Sequence, residues 1–176
     1  QSGRRQRQMC IRDSVYPLFA QALRKEEKKT AATHLDECSA LFSEFSKIAS
    51  KNPYSWFPSY RSAAEIAEET TNNRMVGFPY TKYLNSVIRV NMASAFILMS
   101  QGKADELNVA ENKRVYVHGC SILNDIWNVT ERPDFHSSPA IKTCVNQSLD
   151  QAEISLSDIK HFDLYSCFPS AVQIAK

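Results

Sequence analysis

Three short stretches of this 176-residue chain carry residue types able to do chemistry. The first is Cys167, two residues ahead of Pro169, where a helix is expected to open. Free amide groups at a helix N-terminus stabilise a thiolate and raise the reactivity of a nearby cysteine. A nucleophile also needs a base within reach, and His161 falls on the wrong side of the expected strand, so a packed thiol is the competing reading. The second stretch is His118-Gly119-Cys120, with Asp134 and His136 following. These are zinc-ligand types, but their spacing matches no standard ligand pattern, which favours residues of a structural turn. The third is Ser138-Pro139 at another helix start, where an anion could meet free amides but water usually does.

The elements that must hold these residues follow from periodicity. Tyr16, Phe19, Ala20 and Leu23 recur at helical spacing, and a second helix from near Thr33 carries the stripe Leu35, Cys38, Leu41, Phe42, Phe45, Ile48. Asn52-Pro53 stops it, and Trp56, Phe57 and Tyr60 make the next loop aromatic, as if pinned to a surface. Ser62 and Glu65 have the spacing of a capping box. Strands are expected over 88–99, 114–118 and 161–165, with helices over 103–107, from Pro139 to about Gln151, and from Pro169 onward. Strand and helix alternating in the second half argues for an α/β layer.

Composition narrows the function classes. With 43% hydrophobic and 23% charged residues, the chain can bury an ordinary core. Residues 1–14 hold four arginines and one aspartate, so the rest of the chain sums to −1 and offers no basic patch for nucleic acid. That start reads as a non-native or disordered basic segment. No apolar run approaches the ~18 residues of a membrane span. Five separated cysteines with no Cys-x-x-Cys pair fit a reduced, cytoplasmic protein.

Taken together, NRMVGFPYTKYLNSVIRVNMASAFILMSQGKADEL, VYVHG and SSPAIKTCVNQSLDQAEISLSDIKHFDLYSCF resemble the thiolase superfamily. The signatures HGCSILNDIWNVTERPDFHSSPA and YSCFPSAV resemble thiolase-like proteins of the acetyl-CoA acetyltransferase type. Asn85 falls on the first Asn of the family's Asn-Ala-Ser turn, Val87 on a serine close to coenzyme A, and Asn91 on an aspartate. The family's catalytic loop reads Asn-Glu-Ala-Phe or His-Asp-Cys-Phe; here it is Tyr165-Ser166-Cys167-Phe168.

The resemblance implies a partial thiolase fold, α/β and layered α-β-α-β-α, incomplete at both ends. Residues 15–80 would be the helical part of a loop domain, 81–112 the end of the N-terminal half, and 113–176 the start of the C-terminal half. It also implies thiolysis or Claisen condensation on acyl-CoA in lipid metabolism, with a coenzyme A thioester as substrate and no bound cofactor or metal. Tyr165 and Ser166 then take the catalytic-loop positions, and Asn85 and Ser86 the coenzyme A path. A homodimer or a partner subunit is implied, and neither nucleic acid nor membrane. The family's nucleophilic cysteine and Gly-His-Pro motif have no counterpart here, so the chain alone is expected to be inactive, poorly soluble or partly molten. Tyr165 in place of Asn or His favours the alternative, a non-catalytic binding or assembly subunit.

Overall fold

The computed structural model describes residues 11–87 and 89–176. Residues 1–10 of the basic start, with Cys10, and Ile88 of the first expected strand lie outside the described residues. Ile11–Val15 forms a π-helical turn continuous with α1 (Tyr16–Glu26), so the end of the supposed basic segment joins the folded body.

Helix α2 (Ala31–Ala49) starts where the Thr30 hydroxyl oxygen accepts from the Thr33 amide at 3.1 Å. Its fully buried line is His34, Cys38, Ser39 and Ser43; of the apolar stripe expected, Cys38 is in the core and Leu35 and Phe42 pack on it, while Phe45 and Ile48 stay exposed. Small side chains on that line admit close neighbours. The Ser43 hydroxyl donates to Arg61 O at 2.8 Å and thereby ties the end of the 50–61 loop to α2. That loop is held through its backbone, while Tyr54, Trp56, Phe57 and Tyr60 face outward, contrary to the expected pinning. Beyond it, the Arg61 guanidinium sits 4.0 Å over the Tyr83 ring.

Helix α3 (Ala63–Ala67) has the full capping box, with Ser62 and Glu65 each bonding the other's backbone. A short antiparallel hairpin follows, β1 (Met75–Gly77) with β2 (Tyr80–Thr81), in register Met75↔Thr81 and Gly77↔Tyr80. Buried Asn73 organises it. The Asn73 Nδ2 donates to Glu65 O, Ile66 O and Glu68 O at 3.2, 3.0 and 2.8 Å, and its Oδ1 accepts from the Tyr83 amide at 2.9 Å. Ala20, Cys38, Ile66, Tyr80 and Leu84 close the core, with Tyr16, Phe42 and Phe168 packed against it.

The second half carries α4 (Gln101–Glu106), α5 (Pro139–Ala152) and α6 (Pro169–Ala175). Ser138 caps α5 as expected, its oxygen accepting from the Ile141 amide at 3.3 Å. Helix α6 packs on α1 and α2. The segments expected as strands over 89–99, 114–118 and 161–165 run without a ladder. A strand needs a partner for its N–H and C=O groups, and among the described residues these segments form no such pairing. Phe96 and Val115 are accordingly 90% and 93% exposed. Among the described residues no helix is long and apolar enough to cross a membrane.

Candidate functional site

The loop 165–168 is anchored from its C-terminal end. Phe168 stacks on Tyr16 of α1, centroids 3.9 Å apart and planes 15° from parallel, and lies 6.3 Å from the Tyr80 ring. At the N-cap of α6, Phe168 has no side-chain oxygen for the free helix amides. The hydroxyl of Tyr80 reaches the first turn from outside the helix and bonds the Ser170 hydroxyl. Both residues are fully buried, and burial pushes the Tyr80 phenol well above its ordinary range. The upstream end of the loop is free, so Tyr165 stands 88% exposed while Ser166 and Cys167 are half-buried.

The second expected segment arrives through a 3₁₀ turn, Lys82–Leu84, which ends at Asn85. Asn85 is buried; its Nδ2 donates to Thr81 O at 2.8 Å and its Oδ1 has no partner among the described residues. The Ser86 amide then donates to Cys167 O at 2.9 Å. That one bond brings the 85–86 segment to the 165–168 loop at Cys167, from positions some eighty residues apart in sequence. The Arg12 guanidinium donates to Ser86 O on the same side.

Two phenols converge on the thiol of this loop. The phenols of Tyr16 and Tyr165 both lie close enough to Cys167 for it to influence their titration. Burial first, then the neighbouring Cys167, push the Tyr16 phenol up to about 12. The neighbouring Cys167 raises the Tyr165 phenol as well. Both rings are therefore neutral donors near pH 7. Such a group can stabilise negative charge growing on an oxygen, but it cannot take a proton from a substrate carbon as a carboxylate or imidazole does.

The other sequence candidates lie apart. Gly119 passes so close to Ser148 O of α5 that a Cβ would collide with it. The Cys120 amide donates to Gln151 Oε1 at 3.0 Å, and the Ser121 hydroxyl to Gln147 Oε1 at 2.6 Å. His118-Gly119-Cys120 thus docks a chain segment onto a helix. Asp134 is spent on a turn, accepting from the amides of His136 and Ser137 and from the Ser137 hydroxyl. Among the described residues no group of three His, Cys, Asp or Glu side chains converges as a metal site would require.

A cleft of about 300 Å³ lies by α5, lined in part by Leu123, Asp125, Arg132, Asp134 and Pro139. None of Asn85, Ser86, Tyr165 or Ser166 lines it. Arg132 there is engaged by Asp125 at 3.0 Å and by Ser137 O at 3.1 Å, so the cleft's main cation is already neutralised. Sequence reasoning missed Tyr16 and Tyr80 as parts of the loop's setting. The available signal was a tyrosine at a core-facing position, whose hydroxyl must find a partner when buried.

No protein-family model matches the chain, and no curated protein matches it. Solved structures do match. One is the crystal structure of a monomeric SCP2-thiolase like protein type 1 from Mycobacterium smegmatis, at 35% sequence identity and a TM-score of 0.79. The match covers 91% of this chain and 35% of that one. The chain therefore has an α/β fold of the thiolase-like kind, in part: it spans about a third of the length of the protein it matches.

Proposed function

We propose that the whole protein is a thiolase-like acyltransferase acting on acyl-CoA thioesters in the cytoplasm, by thiolysis or Claisen condensation. The observation that carries this reading is the Ser86 N–H to Cys167 O bond. It joins the segment resembling the coenzyme A path to the loop resembling the catalytic loop. Tyr165, exposed and with its phenol kept neutral, would turn its hydroxyl to the thioester carbonyl and stabilise charge developing on its oxygen. Ser166 would add a second donor, and Asn85 and Ser86 would border the pantetheine arm. The acyl-accepting nucleophile is not among the residues assigned here.

One observation favours a second reading, a thiolase-fold protein that binds acyl-CoA or a partner without turning it over. A tyrosine occupies the position where the family places Asn or His, and its phenol is raised rather than lowered. Titrating the whole protein with acetyl-CoA in a calorimeter, then incubating it with acetoacetyl-CoA and coenzyme A, separates the two. Binding with acetyl-CoA release supports the enzyme, and binding without release supports the second reading. Absence of binding removes both. The resemblance implies a homodimer or partner subunit, whereas the M. smegmatis protein is monomeric; light scattering on the whole protein decides between them.

A further inference from the structure

The segment that follows α2 turns to water what a folded chain ordinarily hides. Tyr54, Trp56, Phe57 and Tyr60 are exposed along the 50–61 loop, Tyr54 to 87%. Phe45 and Ile48, three residues apart near the end of α2 and so on one side of it, are exposed as well. Single exposed apolar side chains are ordinary, but six of them between residues 45 and 60 mark a contact surface. The loop that carries them is held in shape. The Ser43 hydroxyl donates to Arg61 O at 2.8 Å, the Arg61 amide donates to Ser46 Oγ at 3.0 Å, and the Tyr54 amide donates to Asn52 Oδ1 at 2.9 Å. Pro53 and Pro58 fix φ between those ties. The rings are therefore presented outward on a preorganised segment, which lowers the entropy cost of docking.

Charge selects the partner. From Phe45 to Ala64 the sequence holds Lys47, Lys51 and Arg61 and no acid, whereas residues 15–176 as a whole sum to −1. Lys51 is exposed. Lys47 reaches Glu44 at 3.5 Å with both side chains largely in water, where such a pair is weak and readily exchanged. Tryptophan and tyrosine beside lysine, with no carboxylate among them, suit the headgroup level of a bilayer: the rings settle at the acyl boundary and the ammonium groups meet lipid phosphates. We propose that the end of α2 and the 50–61 loop form a docking surface for an anionic phospholipid bilayer, with Trp56 and Phe57 entering the interface and Lys47 and Lys51 facing the phosphates. This is contact with a membrane surface and not passage through it. It departs from the expectation, drawn from the resemblance, that no membrane is involved, and it does not depend on the acyl-CoA reading.

The test is co-sedimentation of the whole protein with vesicles of phosphatidylcholine alone and of an equal mixture of phosphatidylcholine and phosphatidylglycerol. The expected result is binding to the mixed vesicles that is weaker on phosphatidylcholine and falls as salt is raised. Lys47→Gln with Lys51→Gln should weaken binding to the mixed vesicles by about 25-fold, roughly fivefold for each lysine. Trp56→Ser with Phe57→Ser should abolish it. All four side chains are exposed, so the urea midpoint of both variants should match that of the unsubstituted protein. Failure of the unsubstituted protein to bind mixed vesicles overturns the proposal. If light scattering then shows an assembly that the Trp56 and Phe57 substitutions dissolve, the loop belongs to a second copy of the chain. Equal binding to both kinds of vesicle overturns the choice of an anionic surface, and binding that survives the aromatic substitutions places the contact elsewhere. Acetyl-CoA titration of the same protein reads the acyl-CoA site separately, so either reading can fail while the other stands.

Discussion

Removing the hydroxyl of Tyr80 should cost far more than one surface atom would. Tyr80 and Ser170 are both 0% exposed, so neither can turn to water when its partner goes. In Tyr80→Phe the buried Ser170 hydroxyl loses its bond. A hydrogen bond is worth about 1 kcal/mol net, and a buried group left unpaired costs about 1–3 kcal/mol. A destabilisation of about 1–3 kcal/mol follows. Ser170→Ala leaves the buried Tyr80 hydroxyl without that bond and should cost a similar amount. In the double variant the hydroxyl pair is gone from both sides, so its cost should fall short of the sum of the singles by about 1 kcal/mol. Urea unfolding of the four proteins followed by circular dichroism measures the cycle. Strict additivity would refute the claim that this pair fastens α6, and with it the 165–168 loop, to the hairpin.

Two other perturbations read different parts of the same frame. Asn73→Ala strips the buried Ile66 carbonyl, the part-buried Glu65 and Glu68 carbonyls and the Tyr83 amide of their partner, and should cost about 2–3 kcal/mol in the same urea assay. A cost within ~0.5 kcal/mol, the usual range for surface changes, would mean the hairpin does not depend on it. His34 is fully buried beside Cys38, its Nδ1 unpartnered, and burial holds its imidazole below the ordinary range despite Glu27 and Glu37 nearby and with Lys29 and Arg24 opposing protonation. The folded state then binds fewer protons than the unfolded one below about pH 6.5, so stability should fall on acidification, by at most about 1.4 kcal/mol per pH unit, until the depressed folded value is passed. His34→Gln should flatten that part of the curve, and an unaltered slope would assign it to other groups.

How much of this was legible in advance depended on whether the cause was local. The Ser62 and Ser138 caps, the Asn52-Pro53 stop and the Pro169 helix start are set by neighbours a few residues away, and each stands where the spacing puts it. The buried face of α2 was not legible, because Ser43 and His34 are inside for what lies opposite them: the Arg61 backbone and α6. Val, Ile and Phe over 89–99 and 114–118 have strand character, but a ladder needs a paired second segment and the described residues form none there. For the site, the resemblance pointed to Asn85, Ser86, Tyr165 and Ser166. Only the fold shows that a backbone bond from Ser86 to Cys167 joins the two segments. Tyr16 and Tyr80 were invisible as site neighbours, because nothing in a helix stripe or a short polar segment says where a phenol oxygen will end.

The acyl-CoA reading is tested most directly by mixing the whole protein with acetoacetyl-CoA and coenzyme A and measuring acetyl-CoA by chromatography, with Tyr165→Phe in parallel. The expected result is acetyl-CoA formation above the protein-free blank, falling by about 100–1,000-fold when the Tyr165 hydroxyl is removed, as for loss of one transition-state donor. No acetyl-CoA above the blank would contradict it, and equal rates with and without the hydroxyl would take the loop tyrosine out of the chemistry.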